Sequence, residues 1–241
     1  MKLARRCLVF GGSGTLGRVV CRSLAAEGAR VAFTYCTGQH VADELRREIP
    51  ASVAFHLDAR SVENTVATVD AAAHAMDGID AFVQCIGAPM PMHPFLADID
   101  EKAWDDMMDV NVKSTFFAVR HLVDIMRAAG GGNIVLLGSV DSEKLLPAPV
   151  HYGVSKSALS GMVKTVAKEV GAHNIRVNLV APGVIEAGLS RSIPPDRLAD
   201  YLKHCGMKRV GKVSEIANVV VWFALHNEYV TGQSIVVDGA L

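Results

Sequence analysis

The feature that most constrains this chain is a short apolar run that ends in glycines. Cys7–Phe10 leads straight into Gly11-Gly12-Ser13-Gly14-Thr15-Leu16-Gly17, and a helix-like segment, Arg18 to Ala26, follows before Gly28. Glycine lets the backbone turn tightly and lets other groups approach it closely. A helix that starts just after such a turn directs free N–H groups and a partial positive charge at whatever lies above it. Gly12, Gly14 and Gly17 satisfy the GxGxxG spacing. After a strand and before a helix, that spacing reads as a pyrophosphate cradle, with a ligand-free glycine turn as the alternative. No GK[ST] follows, so a nucleoside-triphosphate loop is not supported. Gly11, Ser13, Gly14, Thr15, Leu16 and Gly17 are the expected phosphate-binding positions.

Downstream, short apolar runs alternate with helical spacing. The expected strands are Cys7–Phe10, Arg30–Tyr35, Ser52–Leu57, Ala81–Cys85, Ile134–Leu137, Arg176–Val180 and Ser234–Val237. Between them, Val41, Leu45 and Ile49 fall on one helical face, as do Val62, Val66, Val69 and Ala73. Alternating strands and helices predict a doubly wound α/β fold, a parallel seven-stranded sheet with helices on both faces and ligands at the strands' carboxyl ends. With 241 residues, no linker and no repeat, the chain reads as a single domain spanning 1–241.

Composition narrows the function. Half the residues are hydrophobic, a fifth are charged and the net charge is −1, which excludes a disordered tail and argues against a nucleic-acid partner. No apolar run approaches the roughly 18 residues of a membrane span, so no membrane partner is expected. The four apolar residues Cys7–Phe10 fall short of the about 7–15 of a secretory signal. The five cysteines are odd in number, widely spaced and without CxxC. Free thiols of this kind fit a cytoplasmic location. The nine histidines lack metal-ligand spacing, and no metal is expected.

Two positions carry chemistry. At the end of the second expected strand stand Tyr35-Cys36-Thr37, with no carboxylate before Asp43. A carboxylate there would hold a ribose 2′-hydroxyl and repel a 2′-phosphate. Its absence points to NADP (NADPH), with NAD the second choice; the alternative is that Tyr35 covers the adenine and both bind. Tyr152 and Lys156 are four apart near the start of a predicted helix, Tyr152 to Val170, and share one face. An ammonium beside a phenol lowers its pKa and makes proton exchange with a substrate oxygen feasible. Ser139, just beyond Ile134–Leu137, stands where a hydroxyl can hold that oxygen. The bland reading of this YxxxK is a solvated helix face. His151 beside it is expected at the surface. Asp98, Asp100, Glu101, Asp105 and Asp106 are expected to start a helix and line its wet face.

Taken together these residues resemble the short-chain dehydrogenase/reductase family, a group with the Rossmann fold, over essentially the whole chain. The matching order is the glycine loop, Asp58, Gly87, Asn111-Val112, Ser139, Tyr152-Gly153-Val154-Ser155-Lys156, Asn178, Pro182-Gly183, Thr231-Gly232-Gln233 and Val237-Asp238-Gly239. The flavour is that of 3-oxoacyl-carrier-protein reductases and polyketide ketoreductases. The resemblance implies a catalytic tetrad of Asn111, Ser139, Tyr152 and Lys156. Tyr152 would be the general acid, Lys156 would lower its pKa and bind the nicotinamide ribose, and Ser139 would hold the carbonyl. Asn111 would kink its helix and hold a relay water. Asp58 and Ala59 would meet adenine, Gly87 the ribose, and Pro182, Gly183 and Ile185 the nicotinamide. It also implies a homotetramer or homodimer built on helices Ala103–Ala128 and Tyr152–Val170 and on the C-terminal strand.

The sequence departs from the family pattern in four places. Gly14 comes one place early, Gln84-Cys85-Ile86-Gly87 replaces Asn-Asn-Ala-Gly, Ala187 replaces a threonine for which Ser190 or Ser192 would substitute, and His173 replaces an arginine. The expected function is an NADPH-dependent ketoreductase acting on a small-molecule or carrier-bound ketone. The alternatives are an alcohol dehydrogenase for a small hydroxy compound and a non-catalytic dinucleotide sensor. The Met- and Pro-rich loop Ala88–Phe95 is a candidate pocket wall, and about 184–207 a candidate substrate lid.

Overall fold

The computed structural model describes residues 5–88, 95–144, 148–188 and 193–241. The chain enters the sheet at its centre. It runs β1 (Arg6–Phe10), α1 (Thr15–Ala26), β2 (Arg30–Tyr35), α2 (Gln39–Glu48), β3 (Val53–His56), α3 (Val62–Met76) and β4 (Ala81–Gln84). It continues through α4 (Glu101–Met108), α5 (Ser114–Ala128), β5 (Gly132–Leu137), α6 (Val150–Val170), β6 (Ile175–Pro182), α7 (Pro195–His204), α8 (Val213–Leu225) and β7 (Ser234–Val237). All seven expected strands are present. The sheet order is β3-β2-β1-β4-β5-β6-β7, and every pairing is parallel.

Strand periodicity sorts the core into two layers. On one face Leu8, Phe10, Phe82, Ile134, Leu136, Val177 and Leu179 pack against α3, α5 and α6 through Val69, Leu122, Met126, Leu159 and Val163. On the other, Cys7, Val9, Val83, Val135 and Val180 meet α1, α2 and α8 through Val20, Leu24, Leu45, Ile216 and Val220. Successive strand residues point to opposite faces, so a strand covered on both reads as a continuous apolar run. The near-continuous runs in the sequence have this cause.

Two elements differ from the sequence expectation. The helix expected over Ala103–Ala128 is divided: α4 and α5 are joined by a π turn, Asp109–Lys113, that contains Asn111. A π turn inserts an extra residue and turns its side chains off the α-helical face. The kink implied at Asn111 is this turn. Helix α8, which carries much of the second core layer, is not marked by any run singled out in the sequence. Of the acids expected on the early helix, Asp100 caps α4 by accepting from the Ala103 N–H at 2.7 Å. Asp106 pairs with Lys102 and Arg60.

The chain reverses direction across the sheet between β1 and β4, and ligands of such sheets bind at that switch point. The glycine turn closes over it. A Cβ at Gly17 would sit 2.2 Å from the Gly11 carbonyl oxygen and 2.8 Å from the Gly12 Cα. Both are backbone atoms that cannot step aside, whereas Gly87 has no atom within 4 Å of its would-be Cβ. Gly17→Ala is therefore expected to destabilise the free protein by about 1–3 kcal/mol, read as a melting-point loss of roughly 2–4 °C per kcal/mol by calorimetry. Gly87→Ala leaves the cofactor-free melting point unchanged.

Candidate active site

The glycine turn is held from below. Gly11 donates its N–H to Thr34 Oγ1 on β2 at 2.8 Å, and Ser13 N–H reaches the Thr34 carbonyl at 3.3 Å. Thr34 is a supporting residue that the sequence reading did not single out. It fills a buried strand position that looks like any other. Helix α1 then begins with Gly14 as its N-cap, with no side-chain cap and no acid in its first turn. Its leading N–H groups are free for an anion, and the helix dipole favours one there. Gly14, Thr15 and Gly87 are exposed, and Ser13 and Leu16 half-buried, around this opening. An uncapped helix start beneath an open turn fits a dinucleotide pyrophosphate.

The other expected cofactor positions ring the carboxyl ends of the neighbouring strands. Tyr35 is half-buried and packs edge-on against His56, 5.7 Å between ring centroids, while Cys36 and Thr37 are exposed. The backbone N–H of Asp58 donates to Asn64 Oδ1, and its carboxylate accepts from the Arg60 N–H at 3.0 Å. Ala59 is buried. No arginine was evident near Cys36 in the sequence, yet the fold brings Arg60 within electrostatic reach of it. Arg60 Nε also bonds Asp106 Oδ1 at 3.0 Å. Chain separation hid this neighbour. Across the sheet, Pro182, the last residue of β6, and Gly183 and Ile185 just beyond it are half-buried. A side chain at Gly183 would strike Tyr201 Oη of α7 at 2.6 Å. Gln84 keeps one local bond, Nε2 to the Ile86 carbonyl at 3.0 Å.

Asn111, Ser139, Tyr152 and Lys156 converge. Lys156 is buried and donates Nζ–H to the Leu137 carbonyl, the last residue of β5, at 2.9 Å. Its Nζ lies 5.8 Å from the centroid of the Tyr152 ring. Ser139 follows two residues later and caps a 3-10 turn, Val140–Ser142. Asn111 is fully buried and ties three segments together. Its Oδ1 accepts from the Ala88 N–H at 2.7 Å, and its Nδ2 donates to Ser155 Oγ at 2.9 Å. Ser155 in turn donates to the Tyr152 carbonyl at 2.7 Å. The π turn thus fastens the loop after β4 to the helix that carries Tyr152.

Some expectations change or fall outside. His151 is buried, not at the surface: with Leu96, Ile99, Asp100, Glu101, Trp104 and Val150 it lines a cavity of about 220 Å³. Its position at the start of α6, against α4, buries it. In the candidate loop Ala88–Phe95, residues 89–94 lie outside the described residues, as do Ser190 and Ser192. Ala187 is buried.

Comparison with known proteins identifies the family of this fold. A family model described as enoyl-(acyl carrier protein) reductase matches residues 12–241. Dehydrogenase/reductase SDR family member 4 of Bos taurus is 33% identical over 96% of this chain and 85% of its own length. The 3-oxoacyl-[acyl-carrier-protein] reductase FabG of Staphylococcus aureus is 28% identical over 100% of this chain and 99% of its own. Among solved structures, a putative short-chain alcohol dehydrogenase from Sinorhizobium meliloti superposes with a TM-score of 0.89 at 36% identity, covering 98% of this chain and 96% of that one. The chain belongs to the short-chain dehydrogenase/reductase family, oxidoreductases that use NAD(P).

Burial at the site opposes the lowering of the Tyr152 phenol expected from Lys156. Lys156 was expected to lower the Tyr152 phenol. Here burial dominates and pushes that phenol up to about 12, a hydrogen bond with Ser139 pulls it back in part, and the Asp141 carboxylate raises it further. Burial also drives Lys156 down to about 8, because its ammonium has lost water and gained only a carbonyl. In the unfolded chain this lysine stays charged to about pH 10.4. Between about pH 8 and 10.4 the unfolded state therefore binds more protons, and stability from this group rises with pH. Lys156→Met removes that dependence. The stability of wild type relative to Lys156→Met should improve by roughly 3 kcal/mol between pH 7 and 10.5, measured by urea denaturation. A difference that does not vary with pH contradicts the burial.

Proposed function

We propose that this protein is an NADPH-dependent ketoreductase that reduces a carbonyl of a 3-oxoacyl thioester or polyketide-type substrate to a hydroxyl. One observation carries the reading: Tyr152, beside Ser139, has the Lys156 Nζ 5.8 Å from its ring centroid, with that lysine fixed to the Leu137 carbonyl at the end of β5. Reduction needs a proton donor that is still protonated at neutral pH; oxidation needs the phenolate. Burial, which raises the Tyr152 phenol, agrees with a donor role. The relatives named as 3-oxoacyl reductases support the same class.

In this reading the bound dinucleotide supplies the hydride. Tyr152 donates its proton to the oxygen that gains negative charge. Ser139 holds that oxygen. Lys156, fixed to the Leu137 carbonyl, stands behind the phenol and meets the nicotinamide ribose. Asn111 is a positioning residue that locks α6 to the loop after β4. Gly11, Ser13, Gly14, Thr15, Leu16 and Gly17 take the pyrophosphate on the uncapped start of α1. Tyr35, Cys36, Thr37, Asp58, Ala59 and Gly87 take the adenosine half, and Pro182, Gly183 and Ile185 cover the nicotinamide. Arg60, near Cys36 and paired with Asp58 and Asp106, gives the 2′-phosphate a cationic partner where β2 itself carries no carboxylate. The segment 184–207 acts as the substrate lid. Among the described residues helix α7 buries no side chain, and its Tyr201 Oη accepts from the Val184 N–H at 3.2 Å and donates to the Asp238 carbonyl at 3.3 Å.

Exposed Trp104, Phe116, Val150 and Val154 on α4, α5 and α6 support a homodimer or homotetramer, and the unpaired cysteines support a cytoplasmic location. Sedimentation should give two or four subunits; a single-subunit mass contradicts the assembly.

The activity test follows NADPH absorbance across a ketone panel. Tyr152→Phe should lower turnover by about 10²–10⁴. Equal rates in both forms contradict the role of Tyr152, and no consumption with any ketone favours a non-catalytic sensor. Oxidation of small alcohols exceeding ketone reduction at neutral pH favours the alcohol dehydrogenase reading. Arg60→Ala should cut the ratio of kcat/KM with NADPH to that with NADH by about tenfold, the value of one charge-assisted bond. An unchanged ratio removes Arg60 from the cofactor site.

A further inference from the structure

Ser139 does not present a free hydroxyl. Its Oγ donates to Asp141 Oδ2 at 2.5 Å, a short charge-assisted bond. Asp141 lies within the 3-10 turn Val140–Ser142. Ser142 Oγ donates to the Ser139 carbonyl at 2.7 Å, and Lys144 N–H to the Val140 carbonyl at 2.8 Å. The turn is therefore fixed, and the carboxylate with it. Lys144, the nearest cation in sequence, is turned away onto Asp238 Oδ2 at 2.6 Å. Among the described residues Asp141 makes no ion pair. Bonded to Ser139, its carboxylate lies at the edge of the reaction centre.

A hydroxyl has one proton to give. When Ser139 turns that proton to a substrate carbonyl, the Asp141 carboxylate loses its donor and is left as an acceptor beside it. A plain ketone offers nothing to that carboxylate. A keto acid brings a like charge to it. A ketone with a hydroxyl or amine on the adjacent carbon matches both halves: its carbonyl accepts from Tyr152, and its own donor meets the carboxylate.

We propose that Asp141 is a substrate-selecting residue that, with Ser139, recognises a hydroxyl or amine on the carbon next to the reacting carbonyl. The preferred substrates are then hydroxy- or amino-ketones. This rests on the ketoreductase reading of Tyr152 and narrows its substrate class.

The test uses isosteric pairs in which hydroxyl replaces methyl. With NADPH, wild type should reduce 1-hydroxybutan-2-one with a kcat/KM at least about tenfold above that for pentan-3-one, and 2-oxobutanoate should be the poorest of the three. Asp141→Ala should bring the first ratio to near one and relieve the handicap of the keto acid. Asp141→Asn, nearly isosteric, keeps the turn and should retain part of the hydroxyl preference, because its amide oxygen still accepts. Binding without turnover separates this idea from the activity beneath it. Glycolamide and propanamide, whose carbonyls are not reduced, are titrated onto the NADPH-loaded protein and followed by ligand NMR. Glycolamide should bind about tenfold tighter to wild type and lose that advantage in Asp141→Ala. Ketone reduction with no hydroxyl preference, or a preference that survives Asp141→Ala, overturns the proposal and leaves the ketoreductase reading standing. An Asp141-dependent glycolamide preference without any ketone reduction supports the selecting role and sinks the reading below it.

Discussion

An ammonium group without water is the constraint around which this site is built. Lys156 is buried against the carboxyl end of β5 and spends one proton on the Leu137 carbonyl. Removing a lysine from water is costly, and one neutral acceptor does not restore what is lost. The fold tolerates the cost because α6 is locked from several directions: by the core layer it shares with α3 and α5, by Asn111 through Ser155, and by Ser155 through the Tyr152 carbonyl. Stability is given up at the place where a charge beside a phenol has chemical use.

The π turn at Asp109–Lys113 belongs to the same economy. Asn111 reaches the Ala88 N–H and Ser155 together because the helix departs from its regular repeat at that point. A regular helix would carry that side chain to another face and leave the buried Ala88 N–H without its acceptor. Across the switch point, β2 supports the glycine turn through Thr34 in a comparable way. Each half of the crevice is held by one polar side chain from the adjoining segment.

Much of this was legible in the sequence. The seven strands read as short apolar runs because both faces of a parallel sheet are covered, and glycine and YxxxK spacings are local signals that survive without coordinates. Asn111, Ser139, Tyr152 and Lys156 were named by their order along the chain, and the fold brings them together. What escaped were partners distant in sequence or unremarkable in type. Arg60 comes within electrostatic range of Cys36 because β2 and β3 pair. Thr34 is one more buried strand residue. Asp141, two places beyond Ser139, belongs to none of the motifs read in the sequence. His151 was placed at the surface because nothing in a sequence says that α4 packs over the start of α6.

The sequence by itself determined the class of fold, the place of the glycine turn and which residues are candidates for the site, since these follow from backbone sterics, periodicity and side-chain chemistry at short range. Only the tertiary structure decided their electrical state. Whether Tyr152 is a phenol or a phenolate, whether Lys156 keeps its proton, and whether Ser139 offers its hydrogen to a substrate or to Asp141 all depend on burial and on neighbours that no spacing rule records.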